Sequence, residues 1–372
     1  MNRYKVAIIG FAHMHINDVA AHFHDHPQIN LCACADTVPA TSEIKIGAPY
    51  TRSWNRQFAI DRFGVKPYDN YLDMLENEKP DLCIVTSENS RHAEITEACA
   101  SRGADVCIEK PMAVSLSDGL RMVRSVRRYG TRLMVNWPMT WNRGMHKAAQ
   151  LIEEGAIGRI IEIKTRMGHT GPLGIGAAHR GVTETAVPMT EIEKAATWWH
   201  QAEQGGGAMR DYCCYGAMLD HWFTGRRAQA VMAMRINADT LSGNAEDNAA
   251  MLVRFEDCYA VNEATWTTHD HMFRNPIIYG TEGALICDYK TGQVEISRRN
   301  QPAHQEIPTD PAEEALRDIA CAYVHHRETG EPLHKTLQPE FNLDCLAILD
   351  AGLRSATSGK LEMVQNPSWN IG

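Results

Sequence analysis

Within the first 136 residues, five apolar runs each stop on a glycine or a polar residue, and helix-like segments fall between them. The runs cover 4–9, 29–35, 81–85, 104–108 and 133–135, and they end at Gly10, Asp36, Thr86, Glu109 and Asn136. The segments between them, 16–24, 71–78, 92–102 and 116–129, carry apolar residues at helical spacing. Continuous apolar runs of this length belong to strands buried on both faces, and alternation with helices makes their sheet parallel. The pattern therefore dictates an α/β fold with a doubly wound parallel sheet. Such sheets bind ligands beyond the carboxyl ends of their strands, where these terminal residues collect.

A chain of 372 residues exceeds what one core supports, so a second domain is expected. The pattern changes after Asn136. A helix at 145–154 leads into longer alternating strands at 160–164, 229–237, 249–255, 258–267, 276–279, 284–288 and 293–297. These predict an α+β domain with a large, mostly antiparallel open sheet, one face covered by helices and the other free to pair with a partner copy. Helices at 311–329 and 339–357 are expected to pack as cover, and 167–190 reads as a long loop lining a site. The expected division is a dinucleotide-binding domain over 1–136 and a substrate-binding and oligomerisation domain over 137–372.

The formal charge of −9 opposes binding to nucleic acid or an anionic membrane and favours small neutral ligands. No window approaches the ~18 apolar residues of a membrane span, and no charged-then-apolar leader precedes the first strand, so a cytoplasmic protein is expected. None of the eleven cysteines forms Cys-x-x-Cys; they read as small buried hydrophobes in a reducing compartment. The seventeen histidines include no His-Glu-x-x-His spacing, and no metal is expected.

Gly10-Phe11-Ala12-His13-Met14-His15 occupies the first strand-to-helix turn, where a dinucleotide fingerprint would place three glycines. Gly10 is kept, Ala12 adds one methyl, and His15 puts an imidazole at the helix start beside a phosphate. Asp36, at the end of the second run, is placed to accept from the adenosine ribose hydroxyls; its bland alternative is a turn-forming aspartate. No arginine adjoins it, which favours NAD over NADP unless Arg52 or Arg56 folds back. After the third run, Thr86 leads to Asn89 and His92, which flank a helix start and read as a capping segment.

Val106-Cys107-Ile108-Glu109-Lys110-Pro111 drives an apolar strand into a charged pair stopped by a proline, which fixes the backbone direction of Lys110. Far along the chain, Gly205-Gly206-Gly207 precedes a helix expected to reach about Phe223. Asp211 and Tyr215 lie one helical turn apart on it, an arrangement that can bind and deprotonate a sugar hydroxyl or serve as helix start and core. Trp198-Trp199 read equally as a wall for a pyranose ring or as core.

Together, Glu109-Lys110-Pro111, Asn89 with His92, and Gly-Gly-Gly followed by Asp211 and Tyr215 resemble the Gfo/Idh/MocA oxidoreductases, which include glucose–fructose oxidoreductases and inositol dehydrogenases. The resemblance covers essentially the whole chain. It implies a Rossmann domain binding NAD through Gly10, Ala12, His13, His15, Asp36, Thr86, Asn89, His92, Glu109, Lys110, Asn136 and Trp137. It implies catalysis by Lys110, touching both nicotinamide and the reacting hydroxyl, with Asp211 and Tyr215. Many members have histidine where Tyr215 stands. Lys110, Asp211, Tyr215, His169 and Trp199 are the expected substrate contacts. Desolvation beside the nicotinamide cation is expected to lower the pKa of Lys110. The expected activity is oxidation of a secondary hydroxyl on a sugar, polyol or glycoside, in a homodimer or homotetramer. The resemblance also admits an NAD-dependent glycoside hydrolase that recycles its cofactor, and a non-enzymatic sensor of NAD or sugar stands beside both.

Overall fold

The computed structural model describes residues 4–174, 177–179, 181–239, 242–268, 275–301, 304–311 and 313–370. The first sheet is built from β1 (Tyr4–Ile9), β2 (Ile29–Ala35), β3 (Lys66–Tyr68), β4 (Leu82–Val85), β5 (Asp105–Glu109) and β6 (Leu133–Asn136). Its order is β3-β2-β1-β4-β5-β6 with every pair parallel. That is the dinucleotide-binding order, with the topological switch between β1 and β4. The crossovers are α1 (Ile16–Asp25), α2 (Arg52–Phe63), α3 (Tyr71–Glu78), α4 (His92–Ala100) and α5 (Leu116–Tyr129). Because helices cover both faces, every residue of β4, β5 and β6 is buried.

Two of these elements go beyond the sequence expectation. β3 is a three-residue edge strand containing Pro67, which only an edge tolerates. α2 is mostly polar and buries only Asn55, Ala59 and Phe63, one residue per turn, so its periodicity is faint. The Glu109 strand is consequently the fifth in chain order.

The second sheet follows α6 (Arg143–Glu153), which is capped by the Asn142 side chain. Its strands are β7 (Ile160–Gly168), β8 (Ala230–Ile236), β9 (Asn248–Arg254), β10 (Tyr259–Thr265), β11 (Ile277–Gly280), β12 (Gly283–Cys287), β13 (Val294–Arg298), β14 (Gln305–Ile307) and β15 (Glu362–Met363). Among the described residues their order is β14-β13-β12-β11-β7-β10-β9-β8-β15, antiparallel except for β7 beside β10. Between β7 and β8 run α7 (Glu191–Ala195) and α8 (Cys214–Thr224); α9 (Ile319–Thr329) and α10 (Pro339–Ser358) follow β14. Helices α6, α8 and α10 cover one face, so β8 and β9 alternate between buried and exposed residues.

Two departures concern the first of the C-terminal helices. The helix expected over 311–329 begins at Ile319, where the Asp318 carboxylate caps the Cys321 amide at 2.8 Å; residue 312 lies outside the described residues. Instead of covering the second sheet, α9 returns to the first: Ile319, Ala320, Tyr323 and Val324 join the core of Tyr4, Val6, Ile8 and Phe23. Beyond the end of β7, the long loop expected over 167–190 has no regular element among its described residues; 175, 176 and 180 lie outside them.

All eleven cysteines are unbridged, ten of them buried, as small hydrophobes would be. Among the described residues no helix is long and apolar enough to cross a membrane.

Candidate active site

The β1–α1 turn is set by Gly10. Its φ is +85°, and a Cβ there would come within 2.6 Å of the Ser87 backbone, so a side chain has neither the conformation nor the space. Thr86 pins the turn from β4: its hydroxyl donates to the Gly10 carbonyl at 2.7 Å, and its carbonyl accepts the His13 amide at 3.0 Å. Asp36, at the end of β2, accepts the Phe11 and Thr37 amides at 3.1 and 2.8 Å. Arg52 does fold back. Its Nη1 reaches Asp36 Oδ1 at 2.5 Å, and its Nη2 pairs with Glu88.

His15 does not stand free at the helix start. Its Nδ1 lies 3.1 Å from Glu109 Oε2, and the same carboxylate accepts Asn136 Nδ2 at 3.1 Å and the Lys110 amide at 3.2 Å. Burial pushes the Glu109 carboxyl up, but the neighbouring His15 and Lys110 charges and these hydrogen bonds win, and its pKa is lowered. His92, inside α4, contacts the Met112 carbonyl through Nδ1 at 3.2 Å and so fixes the loop after Lys110. Asn89 donates to the Gly205 carbonyl at 2.9 Å, tying this edge to the glycine run of the second domain.

That glycine run delivers the carboxylate. Gly207 has φ +104°, and a Cβ would come within 2.3 Å of Glu246, whose carboxylate accepts the Met209 amide. Residues Met209–Cys213 form a wide π-type turn that merges into α8, a geometry that recurs at functional sites. The turn carries Asp211 to Lys110: Nζ donates to Oδ1 at 2.7 Å and to the Asp211 carbonyl at 3.0 Å. Trp266, just after β10, donates Nε1 to the other carboxylate oxygen at 3.0 Å. The Tyr215 and Tyr212 rings lie 4.8 and 5.8 Å from the ammonium. Trp137 packs edge-on against Tyr215 and is anchored through its Nε1 to Asn342 at 2.7 Å.

Lys110 and Asp211 are 2 % and 8 % exposed, so the pair interacts with little solvent screening. Burial pulls the amine's pKa down, but Asp211, Tyr215 and Cys214 outweigh it and the net shift is upward. The expected lowering is therefore reversed: the facing carboxylate holds the proton on Lys110. Burial pushes Asp211 up, yet Lys110, His169 and the two hydrogen bonds keep it below its usual range. The Tyr215 phenol is raised, chiefly by burial.

Two sequence candidates sit elsewhere or at the margin. Trp199 lies against His13, with ring centroids 4.7 Å apart, and Trp198 donates Nε1 to the Ala12 carbonyl at 2.8 Å. This pair packs over the dinucleotide turn. His169 packs edge-on against Tyr212 at 5.3 Å, at the rim of the charged pair. Five residues went unassigned in the sequence or were only glimpsed there: Arg52, Glu88, Tyr212, Trp266 and His179. Arg52 was visible as a possible fold-back and Glu88 lies between Thr86 and Asn89, whereas Trp266 reaches Asp211 only through strand pairing. His179 lies edge-on to His15 with ring centroids 5.4 Å apart, and burial lowers its pKa to about 3. The fold also brings ligand-type atoms of His13, His15 and Glu109 within 4.8 Å of one another, a cluster that spacing along the chain does not show.

The residues fit a dinucleotide. Beyond Gly10 and Asp36, His13 Nε2, Asn89 Oδ1 and His92 Nε2 are buried at this edge without a protein partner, and buried polar atoms of this kind call for a polar ligand. A cavity of about 400 Å³ opens at the other end, lined by His15, Asn136, Trp141, Asn142, His179 and Tyr289.

Comparison with known proteins agrees. Residues 4–137 match the model of an oxidoreductase family with an NAD-binding Rossmann fold, and residues 145–286 match the GFO/IDH/MocA C-terminal domain. The chain belongs to the Gfo/Idh/MocA family. This Gfo/Idh/MocA protein is similar to inositol 2-dehydrogenase of Salmonella typhimurium, 26% identical over 113 residues, which is 30% of this chain and 34% of that protein. It thus spans about a third of the length of those curated relatives. A longer match is to 1,5-anhydro-D-fructose reductase of Ensifer adhaerens, 26% identical over 67% of this chain and 70% of that protein. Solved structures share the fold. The WlbA dehydrogenase of Bordetella pertussis, in complex with NADH and UDP-GlcNAcA, gives a TM-score of 0.74 at 21% identity over 98% of each chain. The aldose-aldose oxidoreductase of Caulobacter crescentus, complexed with glycerol, gives 0.75 at 19% identity over 97% of this chain and 99% of that one. As a family member, the chain carries an NAD-binding Rossmann domain and a second, mostly antiparallel sheet.

Proposed function

We propose that the protein oxidises, reversibly, a secondary hydroxyl of a sugar, polyol or glycoside. The observation that carries this reading is the buried contact between Lys110 Nζ at the tip of β5 and Asp211 Oδ1 on the second domain, 2.7 Å apart. The charged pair lies where the two domains meet, a place suited to an alcohol held against a dinucleotide. NAD, when bound, supplies the hydride acceptor at its nicotinamide C4. The residues suited to hold it are Gly10, Ala12, His13 and His15 at the turn, Asp36 at the ribose, Thr86, Asn89 and His92 after β4, and Glu109, Asn136 and Trp137 near the reacting end.

Lys110 and Asp211 handle the proton. As an ammonium, Lys110 is a donor to a carbonyl oxygen; as an amine, it takes the hydroxyl proton. Asp211 orients the hydroxyl and sets how tightly the proton is held, while the neutral Tyr215 phenol lends a hydrogen bond. A matched proton carrier of this kind adds about 10²–10⁴-fold to the rate. Trp137 and Trp266 fix the pair's geometry and help exclude water. The open face of the second sheet supports a homo-oligomer. Cross-strand neighbours Met232, Leu252, Val261, Ile277 and Ile286 form an apolar row across it, interrupted by Lys164, for a second copy to cover.

Incubation with NAD and a panel of polyols, free sugars and glycosides, following both NADH and aglycone release, tests the reading. NADH formed in proportion to oxidised product supports it. Aglycone release with no net NADH would instead establish redox-neutral glycoside cleavage, and dinucleotide binding without turnover on any substrate would leave a sensor.

A further inference from the structure

After β2, away from the Lys110 pair that follows β5, one cation faces two carboxylates. Arg52 sits between Asp36 and Glu88: Nη1 contacts Asp36 Oδ1 at 2.5 Å and the Thr37 hydroxyl and carbonyl at 3.1 Å each, and Nη2 pairs with Glu88 Oε1. Glu88 is 1 % exposed and also accepts from the Thr37 hydroxyl at 3.3 Å. Arg52 and Glu88, with Pro39, Thr41 and Glu43, line a cavity of only about 30 Å³ beyond the end of β2. A carboxylate at the end of β2 suits an adenosine 2′-hydroxyl, and an arginine nearby suits a 2′-phosphate. Both are present here, and what decides between them is the third group, Glu88.

We propose that Glu88 is a specificity-determining residue for the cofactor: with Asp36 it engages Arg52 from both sides, so that this latent phosphate receptor is withheld and NADP is refused. This rests on the adenosine ribose lying at the end of β2. The physical argument is a charge count. Asp36 and Glu88 flank the guanidinium and Glu43 accepts the Arg52 amide in the same cavity wall, so three carboxylates face one cation, and a dianionic phosphate must displace at least one acid from Arg52 while approaching the others. Like charges brought together in this way are a strong device for rejecting a ligand. A guanidinium already satisfied on both edges has no free fork to offer, and a bidentate fork is what makes arginine a good phosphate ligand. Asp36 alone would leave one edge free; Glu88 closes it.

The test is a binding titration of NADH and NADPH, read by nicotinamide fluorescence, on the full-length protein and four variants. Glu88→Gln is expected to narrow the NADH-over-NADPH preference about tenfold, and Asp36→Ser with Glu88→Gln about a hundredfold, with most of that gain lost when Arg52→Ala is added. Arg52→Ala alone, which leaves two unopposed carboxylates, widens the preference. Thermal melting of each variant separates a change in selectivity from a loss of fold, and Arg52→Ala serves as the independent arm if the buried glutamine is not accommodated. An unchanged ratio in Glu88→Gln, a gain in NADPH binding that survives Arg52→Ala, or a narrower preference in Arg52→Ala alone would each overturn the proposal. Failure of the wild-type protein to bind either dinucleotide would instead strike at the cofactor reading itself.

Discussion

Two buried ion-pair clusters lie beyond the carboxyl ends of strands of the first sheet, one after β5 and one after β2, and they are built on opposite principles. At Lys110, one cation meets one carboxylate, the partners come from different domains, and Tyr215 and Trp137 pack edge-on beside them. At Arg52, one cation meets two carboxylates, and all three belong to the first domain. The first cluster is balanced, so moving a single proton changes its charge state. The second is overdetermined: a guanidinium does not titrate in the working range, and the corner keeps its negative charge whatever binds. Chemistry fits the end that can change, and recognition fits the end that cannot.

The sharpest way to break this contrast is to remove the amine. Lys110→Ala should lower turnover by about 10²–10⁴-fold with dinucleotide affinity nearly unchanged. Turnover like that of the wild type would leave the balanced cluster without its assigned role. The same variant strands a buried carboxylate, so it should also lose about 3–5 kcal/mol of stability, part of it restored in Lys110→Ala with Asp211→Ala; chemical denaturation of the single and double variants measures the coupling.

Titration separates the clusters next. The Lys110 pKa is raised and that of Asp211 lowered, so the pair's stabilisation is fully present between the unfolded values near 4 and 10.4. It is lost only as pH falls through the folded Asp211 value or rises through the folded Lys110 value. Across that window alcohol oxidation, which needs the amine as acceptor, should rise with pH, while carbonyl reduction, which needs the ammonium, should fall; parallel profiles in the two directions would remove Lys110 as the proton carrier. Asp36→Ala, at the other cluster, should weaken NAD about tenfold more than NADP, and equal losses in a binding assay would contradict the ribose assignment. Glu88 still holds Arg52 in that variant, so NADP should gain little.

The smallest effect expected at the site is that of Tyr215→Phe, which should reshape the pH profile of turnover and change its maximum by about tenfold or less. An identical profile would leave Lys110 and Asp211 to carry the proton alone. His179, beside His15, and His200, beside Trp266, are held neutral by burial, with pKa values lowered to about 3 and about 4. The unfolded chain binds protons at these sites that the native state refuses, so stability should decline as pH falls below about 6.5, most steeply toward 4. Histidine-to-glutamine variants in acid unfolding titrations check this.

What could be read in the chain, and what could not, follows the range of the interactions. Glu109 and Lys110 announce themselves because an apolar strand cut off by Pro111 is a local pattern, and Asp36 does so because it ends another. Asp211 and Tyr215 share a local turn, yet the wide turn at 209–213 that bares the Asp211 carbonyl to Lys110 has no signal in periodicity. Trp266 reaches Asp211 only after β10 has paired with β7 and β9, a register set by contacts distant in sequence. Arg52 opens a helix whose buried face is a single residue per turn, so its inward reach was visible only as an option. Trp198 and Trp199 were ambiguous for a related reason: an aromatic pair wants cover, and whether sugar, cofactor turn or core supplies it depends on where the glycine run folds.

The return of α9 to the first sheet has a practical consequence. A clone that stops at residue 136 would carry all six strands of the Rossmann sheet but strip Tyr323 and its neighbours from the core they share with Tyr4, Val6, Ile8 and Phe23. The nucleotide-binding half is therefore not a detachable module. Engineering that swaps it between relatives must transplant the distant 319–337 stretch along with it, or the graft lacks part of its own core.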